Sequence, residues 1–167
     1  EELRALITKG APRFAADYPF LEGAYRDSLE GYLFPATYRV REGASAEQIV
    51  RLMLDRFESE LDTLDLTYAE SKRLDLHDVV VIASAVEREA RLDKERPLVA
   101  SVIYNRLKAK MRLQLCATVL YELPGKDSLT LEDLKLDSPY NTYIHAGLPP
   151  GPISNPGSAS LKAAANP

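Results

Sequence analysis

The segment from Ser138 to Gly157, SPYNTYIHAGLPPGPISNPG, prevents regular secondary structure over a long part of the chain. It contains five of the eleven prolines and three of the eight glycines. Proline fixes φ and lacks the backbone N–H that helices and sheets need, and it restricts the unfolded chain. The segment is therefore typical of a loop that holds one shape, and long ordered loops often carry function. The pattern leaves two interpretations open, a stiff surface connection and a binding loop.

The rest of the chain has mainly helical periodicity. Apolar residues recur at helical spacing from Ile49 to Leu61, and Ser45 with Gln48 three residues later predicts a capping box before them. Three further helices are predicted, over about 77–92, over about 97–111, and from Ser158 to a stop at Asn166-Pro167.

Two segments have strand character. The residues from Ala36 to Val40 are predicted to form a short strand, and TVLYEL, at 118–123, fits either a helix or a strand. The sequence therefore predicts an α+β fold that is predominantly helical with a few short strands. We expect a boundary near residue 43, with a main domain over 44–167.

Composition excludes several classes of function. The net charge is −4 with no cluster of Lys or Arg, which argues against a nucleic-acid partner. One cysteine and two histidines are poor material for a zinc or iron site, so no metal or cofactor is expected. The longest apolar run, Val79–Val86, is far too short to span a bilayer.

Two glutamates are the candidates for chemistry, because the common nucleophile, phosphate-loop and metalloprotease motifs are absent. On a helical wheel Glu87 and Glu89 fall on the two edges of one apolar stripe. A carboxyl at such an edge is partly shielded from water, which suits it to donate a proton near neutral pH. Periodicity does not choose between the two. The segment EREAR also fits a solvated helix face with charge pairs four residues apart.

Four long segments carry a family resemblance. They are LEGYLFPATY at 29–38, IASAVEREA at 82–90, VASVIYNRLKAKMRLQLCATVLY at 99–121, and the proline-rich loop with its following helix at 138–167. Their order and spacing resemble the endolytic murein transglycosylase family, also called MltG or YceG-like.

The resemblance implies a membrane-anchored bacterial enzyme on the extracytoplasmic face of the inner membrane. Such enzymes cut peptidoglycan glycan strands between N-acetylmuramic acid and N-acetylglucosamine, leaving 1,6-anhydro ends, through one glutamate and without a cofactor. The family's glutamate falls on Glu87, with Glu89 as the reserve candidate. The expected partners are glycan strands and cell-wall synthesis proteins. Membrane contact is expected only through a segment outside this chain.

The resemblance also implies a division of the chain and a set of substrate-binding residues. Residues 1–43 are expected to be the end of a LysM-like module, and residues 44–167 a catalytic domain whose relatives continue into a further C-terminal segment. The side chains of Tyr140, Asn141 and Tyr143 in the loop are expected to line a sugar groove. Gly147 and Gly151 are expected to let the backbone approach the sugar, and Gln114 is expected to bind the sugar from the opposite wall.

Two positions depart from the family pattern. Cys116 replaces an aspartate of the third segment, and Ala36 replaces the aspartate of the F-P-D-T-Y motif. Two other functions stay open from the residues: a peptidoglycan-binding or division-complex scaffold without catalysis, and a hydrolytic muramidase. The hydrolase usually needs a second carboxylate. The aspartates available for that role are Asp78, Asp93, Asp133 and Asp137.

Overall fold

The computed structural model describes residues 1–167 as helices and loops, without a β-strand. None of the helices combines the length and the apolar character that crossing a bilayer requires. The α-helices are α1 (Glu2–Lys9), α2 (Ala11–Phe14), α3 (Ala46–Leu61), α4 (Thr67–Ser71), α5 (Leu76–Glu89), α6 (Arg96–Lys108), α7 (Cys116–Tyr121) and α8 (Ser158–Ala165). Short 3₁₀ turns occupy Pro19–Leu21, Tyr25–Asp27, Asp93–Glu95 and Asp133–Lys135.

The α+β prediction is wrong, because the fold is all helical. The residues from Ala36 to Val40 make no backbone hydrogen bond, and most of them are exposed. A strand exists only where a neighbouring strand exchanges backbone hydrogen bonds with it, and no segment does so here. The ambiguous segment TVLYEL lies largely in helix α7.

The helix predictions are confirmed with small shifts at the ends. Ser45 Oγ accepts a hydrogen bond from Gln48 N at 3.2 Å, and Gln48 Oε1 accepts one from Ser45 N at 2.9 Å, which completes the capping box of α3. Helix α5 ends at Glu89, three residues before the predicted end, because Ala90 turns to an extended conformation with ψ of 131°.

Helix α5 is the centre of the core. All eight residues from Val79 to Val86 are buried, because α6, α7 and α8 pack around this helix. The sequence pattern indicated an apolar stripe, whereas the structure surrounds two full turns of the helix with protein. Its first turn, 76–78, and its last turn, which carries Glu87 and Glu89, are only partly buried.

The proline-rich loop is tied to α5 through a buried serine. Ser84 Oγ accepts a hydrogen bond from Ile153 N at 3.0 Å, and Ser84 O accepts one from Ser154 Oγ at 3.0 Å. Asn155 Oδ1 accepts hydrogen bonds from Gly31 N at 2.8 Å and Leu33 N at 3.2 Å. These bonds bring together, on one side of α5, the first and last of the four segments that resemble the family, 29–38 and 138–167.

Candidate active site

Glu87 is held by one of its two carboxyl oxygens. Its Oε2 accepts hydrogen bonds from Ser160 Oγ at 2.7 Å and from Gly157 N at 3.0 Å, and lies 3.3 Å from Arg96 Nη1. Its Oε1 has no hydrogen-bond partner in the protein, and the side chain is 29% exposed. The carboxyl is therefore fixed in direction while one oxygen stays open to a ligand.

Arg96 and Ser160 support this carboxyl from behind. Arg96 Nη1 donates a hydrogen bond to Ser160 Oγ at 2.6 Å, and Ser160 in turn donates to Glu87. Arg96 Nε donates to Asp93 Oδ1 at 3.0 Å, which fixes the guanidinium plane. Ser160 is fully buried and Arg96 is only 14% exposed, so neither side chain has freedom to move away from Glu87.

The first family-like segment also reaches this site. A Cβ atom placed on Gly157 would lie 3.7 Å from Glu87 Oε2 and 4.0 Å from Pro35 Cγ. Pro35 and Gly157 therefore line the approach to the carboxyl. Ala36 follows Pro35 and is exposed. An aspartate at this position would add a charge near the site entrance, which alanine does not.

Glu89 lies on the other side of α5 and meets different partners. Its Oε1 accepts one hydrogen bond, from Ala117 N in the first turn of α7, at 3.1 Å. Residues two positions apart on a helix are separated by about 200° around its axis. The two glutamates therefore do not form a facing pair.

Tyr143 and Cys116 lie on the Glu89 side. Cys116 Sγ is 3.1 Å from Tyr143 Oη, and the thiol is exposed. Burial raises the pKa of Tyr143 to about 12, and Cys116 and the negative charge of Glu89 add to the effect. The tyrosine hydroxyl thus stays protonated at neutral pH and can donate a hydrogen bond.

Gln114 belongs to the same wall as Tyr143. Its backbone N donates to Thr142 O at 3.0 Å, and Leu115 N donates to Thr142 Oγ1 at 2.9 Å. The Gln114 side chain is exposed, and its φ of 52° turns the chain sharply at this point. The structure therefore holds the backbone at Gln114 against the loop, and a contact of its side chain with the sugar stays a prediction.

Asn141 is fully buried inside the loop. Its Nδ2 donates to Leu134 O at 3.0 Å and Leu136 O at 2.8 Å, and its Oδ1 accepts from Tyr143 N at 3.0 Å. All the polar atoms of this side chain are therefore engaged within the protein. In this conformation Asn141 shapes the loop, and direct sugar binding by it stays a prediction.

Tyr140 and Gly151 lie away from the glutamates, in a separate pocket. A Cβ atom on Gly151 would lie 2.9 Å from Tyr140 Oη and 3.0 Å from Tyr25 Cβ, so only glycine fits there. Gly147 has a φ of 88° and no atom near its missing Cβ, which marks an open turn. The six predicted substrate-binding residues therefore divide between three places.

Three residues that lie at the candidate sites in the structure were not predicted from the sequence. Arg96 and Ser160 hold Glu87, and Glu30 lies in the pocket with Tyr140. Glu30 and Ser160 lie inside the family-like segments, but no periodicity or local motif distinguishes them. A charged residue directly before Pro97, at the start of a helix, was the only signal for Arg96.

A cavity of about 720 Å³ lies at the opposite end of α5 from the glutamates. Its lining includes His77, Asp78, Tyr68 and Tyr104. His77 is already bonded to Tyr32 Oη at 2.7 Å and to Pro150 O at 3.2 Å. This cavity is therefore not part of the glutamate site.

The profile of the YceG-like family matches residues 3–167. The chain belongs to the YceG-like family. A crystal structure of a YceG-like protein from Listeria monocytogenes superposes with a TM-score of 0.85 at 37% identity, covering 99% of this chain and 57% of that one.

Two curated relatives of this YceG-like chain are named endolytic murein transglycosylase. The protein from Bacillus subtilis (strain 168) is 45% identical over 141 residues, 83% of this chain and 39% of the relative. The protein from Streptococcus pneumoniae (strain R6) is 36% identical over 161 residues, 93% of this chain and 29% of the relative. The chain thus spans less than half the length of these relatives.

Proposed function

We propose that this protein is a lytic transglycosylase that cuts peptidoglycan glycan strands internally, at the β-1,4 bond between N-acetylmuramic acid and N-acetylglucosamine. The names of the two relatives support the substrate and the reaction. The observation that carries the proposal is the asymmetry of Glu87, with one oxygen held by two hydrogen bonds and an ion pair and the other open. Glu87 is then the residue that moves the proton.

The reaction needs one group that acts first as acid and then as base. Glu87 gives its proton to the glycosidic oxygen, the bond from that oxygen to C1 of the muramic acid breaks, and the glucosamine leaves with a hydroxyl. The Glu87 carboxylate then takes the proton of the muramic acid C6 hydroxyl, whose oxygen bonds to C1. No water is consumed, and Glu87 returns to its starting form.

Positioning is the main contribution of the surrounding residues. Ser160, Gly157 and Arg96 hold Oε2, so proton transfer takes place at Oε1 in both steps. A sugar that covers the carboxyl also removes water from it, which favours the protonated form that the first step requires. The C6 hydroxyl belongs to the bound sugar, so the ring closure is intramolecular and has a high effective concentration.

The four aspartates give little support to a hydrolase. Asp93 is 84% exposed and is bonded to Arg96, and Asp137 is exposed. Asp133 is paired with Lys126, which, with two hydrogen bonds from Thr130, lowers its pKa to about 2. Asp78 caps the far end of α5. Asp93 touches the Glu87 site through Arg96, to which it is bonded, and Asp78 and Asp133 are engaged by other partners. These contacts favour a reaction whose nucleophile is the C6 hydroxyl of the substrate.

The cellular setting is part of the same proposal and rests on the family resemblance. The substrate lies outside the cytoplasm, so we place the activity on the extracytoplasmic face of the inner membrane. An N-terminal helix outside this chain would anchor the protein, and residues 1–43 would belong to a LysM-like module. Cell-wall synthesis proteins are the expected protein partners.

The test is to incubate the protein with uncrosslinked glycan strands and to identify the products by mass spectrometry. Shortened strands with 1,6-anhydro-N-acetylmuramic acid ends, lighter than hydrolytic ends by one water, are expected. Shortened strands with only reducing ends would identify a hydrolase. Strands that bind but keep their length would identify a scaffold, and either result would overturn the proposal.

A further inference from the structure

The structure contains a second polar pocket, of about 320 Å³, near the end of α7. We call it the tyrosine pocket. It is formed where the N-terminal part of the chain meets α7 and the proline-rich loop. Its main lining side chains are Tyr25, Arg26, Glu30, Tyr121 and Tyr140, and Lys9 lies at its edge.

We propose that the tyrosine pocket binds an N-acetylated amino sugar of the glycan strand, at a distance from the bond that is cut. This inference rests on the proposed function, because it assigns a second contact to the same substrate. The tyrosine pocket would be a second binding site for the strand. Its residues Glu30, Tyr25 and Tyr121 have no part in the chemistry at Glu87.

The walls of the tyrosine pocket are aromatic. The ring centroids of Tyr121 and Tyr140 are 4.9 Å apart, and those of Tyr25 and Tyr140 are 6.0 Å apart. Tyr140 is buried, while Tyr121 is 37% exposed and offers part of its surface to a ligand. Tyrosine combines a flat apolar ring with a hydroxyl, which matches a sugar with its apolar C–H face and its hydroxyl edge.

The tyrosine pocket also contains the carboxyl of Glu30. Burial raises its pKa, yet its oxygens have no hydrogen-bond or ion-pair partner within the protein. An isolated carboxyl that is partly removed from water costs free energy, and it is a common mark of a binding site. The hydroxyl and amide N–H groups of an amino sugar are donors that this carboxyl lacks.

The backbone at the edge of the tyrosine pocket has an uncommon conformation. Arg26 and Asp27 are consecutive non-glycine residues with φ of 56° and 61°. Such conformations are costly and tend to occur where a side chain must be placed for function. Here the turn places the Arg26 guanidinium 5.1 Å from the Tyr25 ring centroid, at the edge of the pocket. With Lys9, it can donate hydrogen bonds to the acetyl and lactyl carbonyl oxygens of a muramic acid residue.

The position of the pocket suits a strand that reaches from the glutamates. Helix α7 runs from the Glu89 side of the candidate site to the pocket. Ala117 bonds to Glu89, and Tyr121 lines the pocket. These two residues are four positions apart, which is a distance of about 6 Å along the helix axis. On α5, Val80 lies beside Gly31 and Pro152 at the pocket. Glu87 is seven residues further along the helix, so Val80 and Glu87 are about 10 Å apart along its axis. A few linked sugars cover such a separation, whereas a single disaccharide at Glu87 does not.

The test compares long and short uncrosslinked glycan strands as substrates for Glu30→Gln and Tyr121→Ala. The preference for long strands, as the ratio of kcat/KM values, should fall about tenfold, mainly through a higher KM, because each variant loses contacts made only by a distant sugar. Glu42→Gln removes an exposed carboxylate elsewhere and is the matched control. Tyr121→Phe keeps the ring and should fall between the wild type and Tyr121→Ala.

A binding measurement separates this inference from the proposed function. NMR titration of Glu87→Gln with N-acetylglucosamine oligomers should shift the signals of residues around Glu30 and Tyr121, and Glu30→Gln in the same background should weaken that binding. An unchanged length preference together with no shift at the pocket would overturn the inference, even if cleavage is confirmed. Binding at the pocket in a protein that cuts no strands would retain it and overturn the proposed reaction. If Tyr121→Ala is unfolded, Glu30→Gln and Tyr121→Phe decide the outcome.

Discussion

Glu87 and Glu89 are two residues apart on one helix, yet their surroundings differ. Glu87 meets a buried serine, a backbone N–H and an arginine, which together hold one oxygen. Glu89 accepts one backbone hydrogen bond and lies near Tyr143. The same side chain on the same helix is thus prepared for different tasks by what packs against each side. We expect the site with the supported carboxyl to carry the chemistry and the other to shape the substrate surface.

The largest expected effect is the difference between Glu87→Gln and Glu89→Gln. Glutamine keeps the size of the side chain but has no proton to transfer, so Glu87→Gln should lower kcat by about 10²-fold or more while the fold survives. Glu89→Gln should lose far less. Turnover of uncrosslinked strands and thermal melting of both variants test this, and a larger loss in Glu89→Gln would reverse the assignment.

The next effect concerns the support of Glu87. Ser160→Ala removes a hydrogen bond to the carboxylate and should lower kcat about tenfold with little change in KM. Ser158→Ala, in the same first turn of α8, is the control. An equal fall of kcat in Ser158→Ala, or a rise of KM in Ser160→Ala without a fall of kcat, would contradict the positioning role.

A third prediction separates the two loop residues. Asn141→Ala leaves two carbonyl groups without their donor and should lower the free energy of unfolding by about 1–3 kcal/mol. Tyr143→Ala should instead weaken glycan binding with a smaller change in stability, since its side chain is only partly buried. Urea denaturation and a strand-binding assay distinguish the two, and equal losses of stability would remove the distinction.

The smallest expected effect concerns the contribution of Tyr104 to stability. Tyr104 bonds to the C-terminal end of α8, the helix whose first turn holds Glu87. Tyr104 Oη donates to Ala164 O at 2.7 Å, and burial raises the pKa of Tyr104 to about 12. The unfolded chain releases this proton near pH 10, so stability should fall as the pH rises from 10 to 12. Tyr104→Phe should lose about 1 kcal/mol at neutral pH and show a flatter decline above pH 10. Denaturation midpoints measured from pH 8 to 12 test both parts, and an unchanged slope would exclude this tyrosine as a source of alkaline sensitivity.

Local patterns predicted the helices well because their causes are local. The capping box of Ser45 and Gln48 lies within four residues, and its geometry follows from the sequence. The strand at 36–40 failed for the opposite reason, since β-prone residues need a distant partner that this chain does not place beside them.

Part of the candidate site was also within reach of the sequence. The helical wheel placed both glutamates at the edges of the apolar face, and the family resemblance singled out Glu87. The partners of Glu87 were not predictable, because Gly157 and Ser160 are some seventy residues away along the chain. The loop residues were recognised as a group, but the structure separates Tyr140 from Tyr143 and directs Asn141 inward.

The sequence by itself determined the helical segments, the long stiff loop and the YceG-like family of this protein, because short-range periodicity, proline content and motif order are readable along one dimension. Only the tertiary structure decided which glutamate is supported, which loop residues are buried and that Glu30 lies among three tyrosines. These properties arise from contacts between residues far apart in the chain, and such contacts depend on how the helices pack around α5.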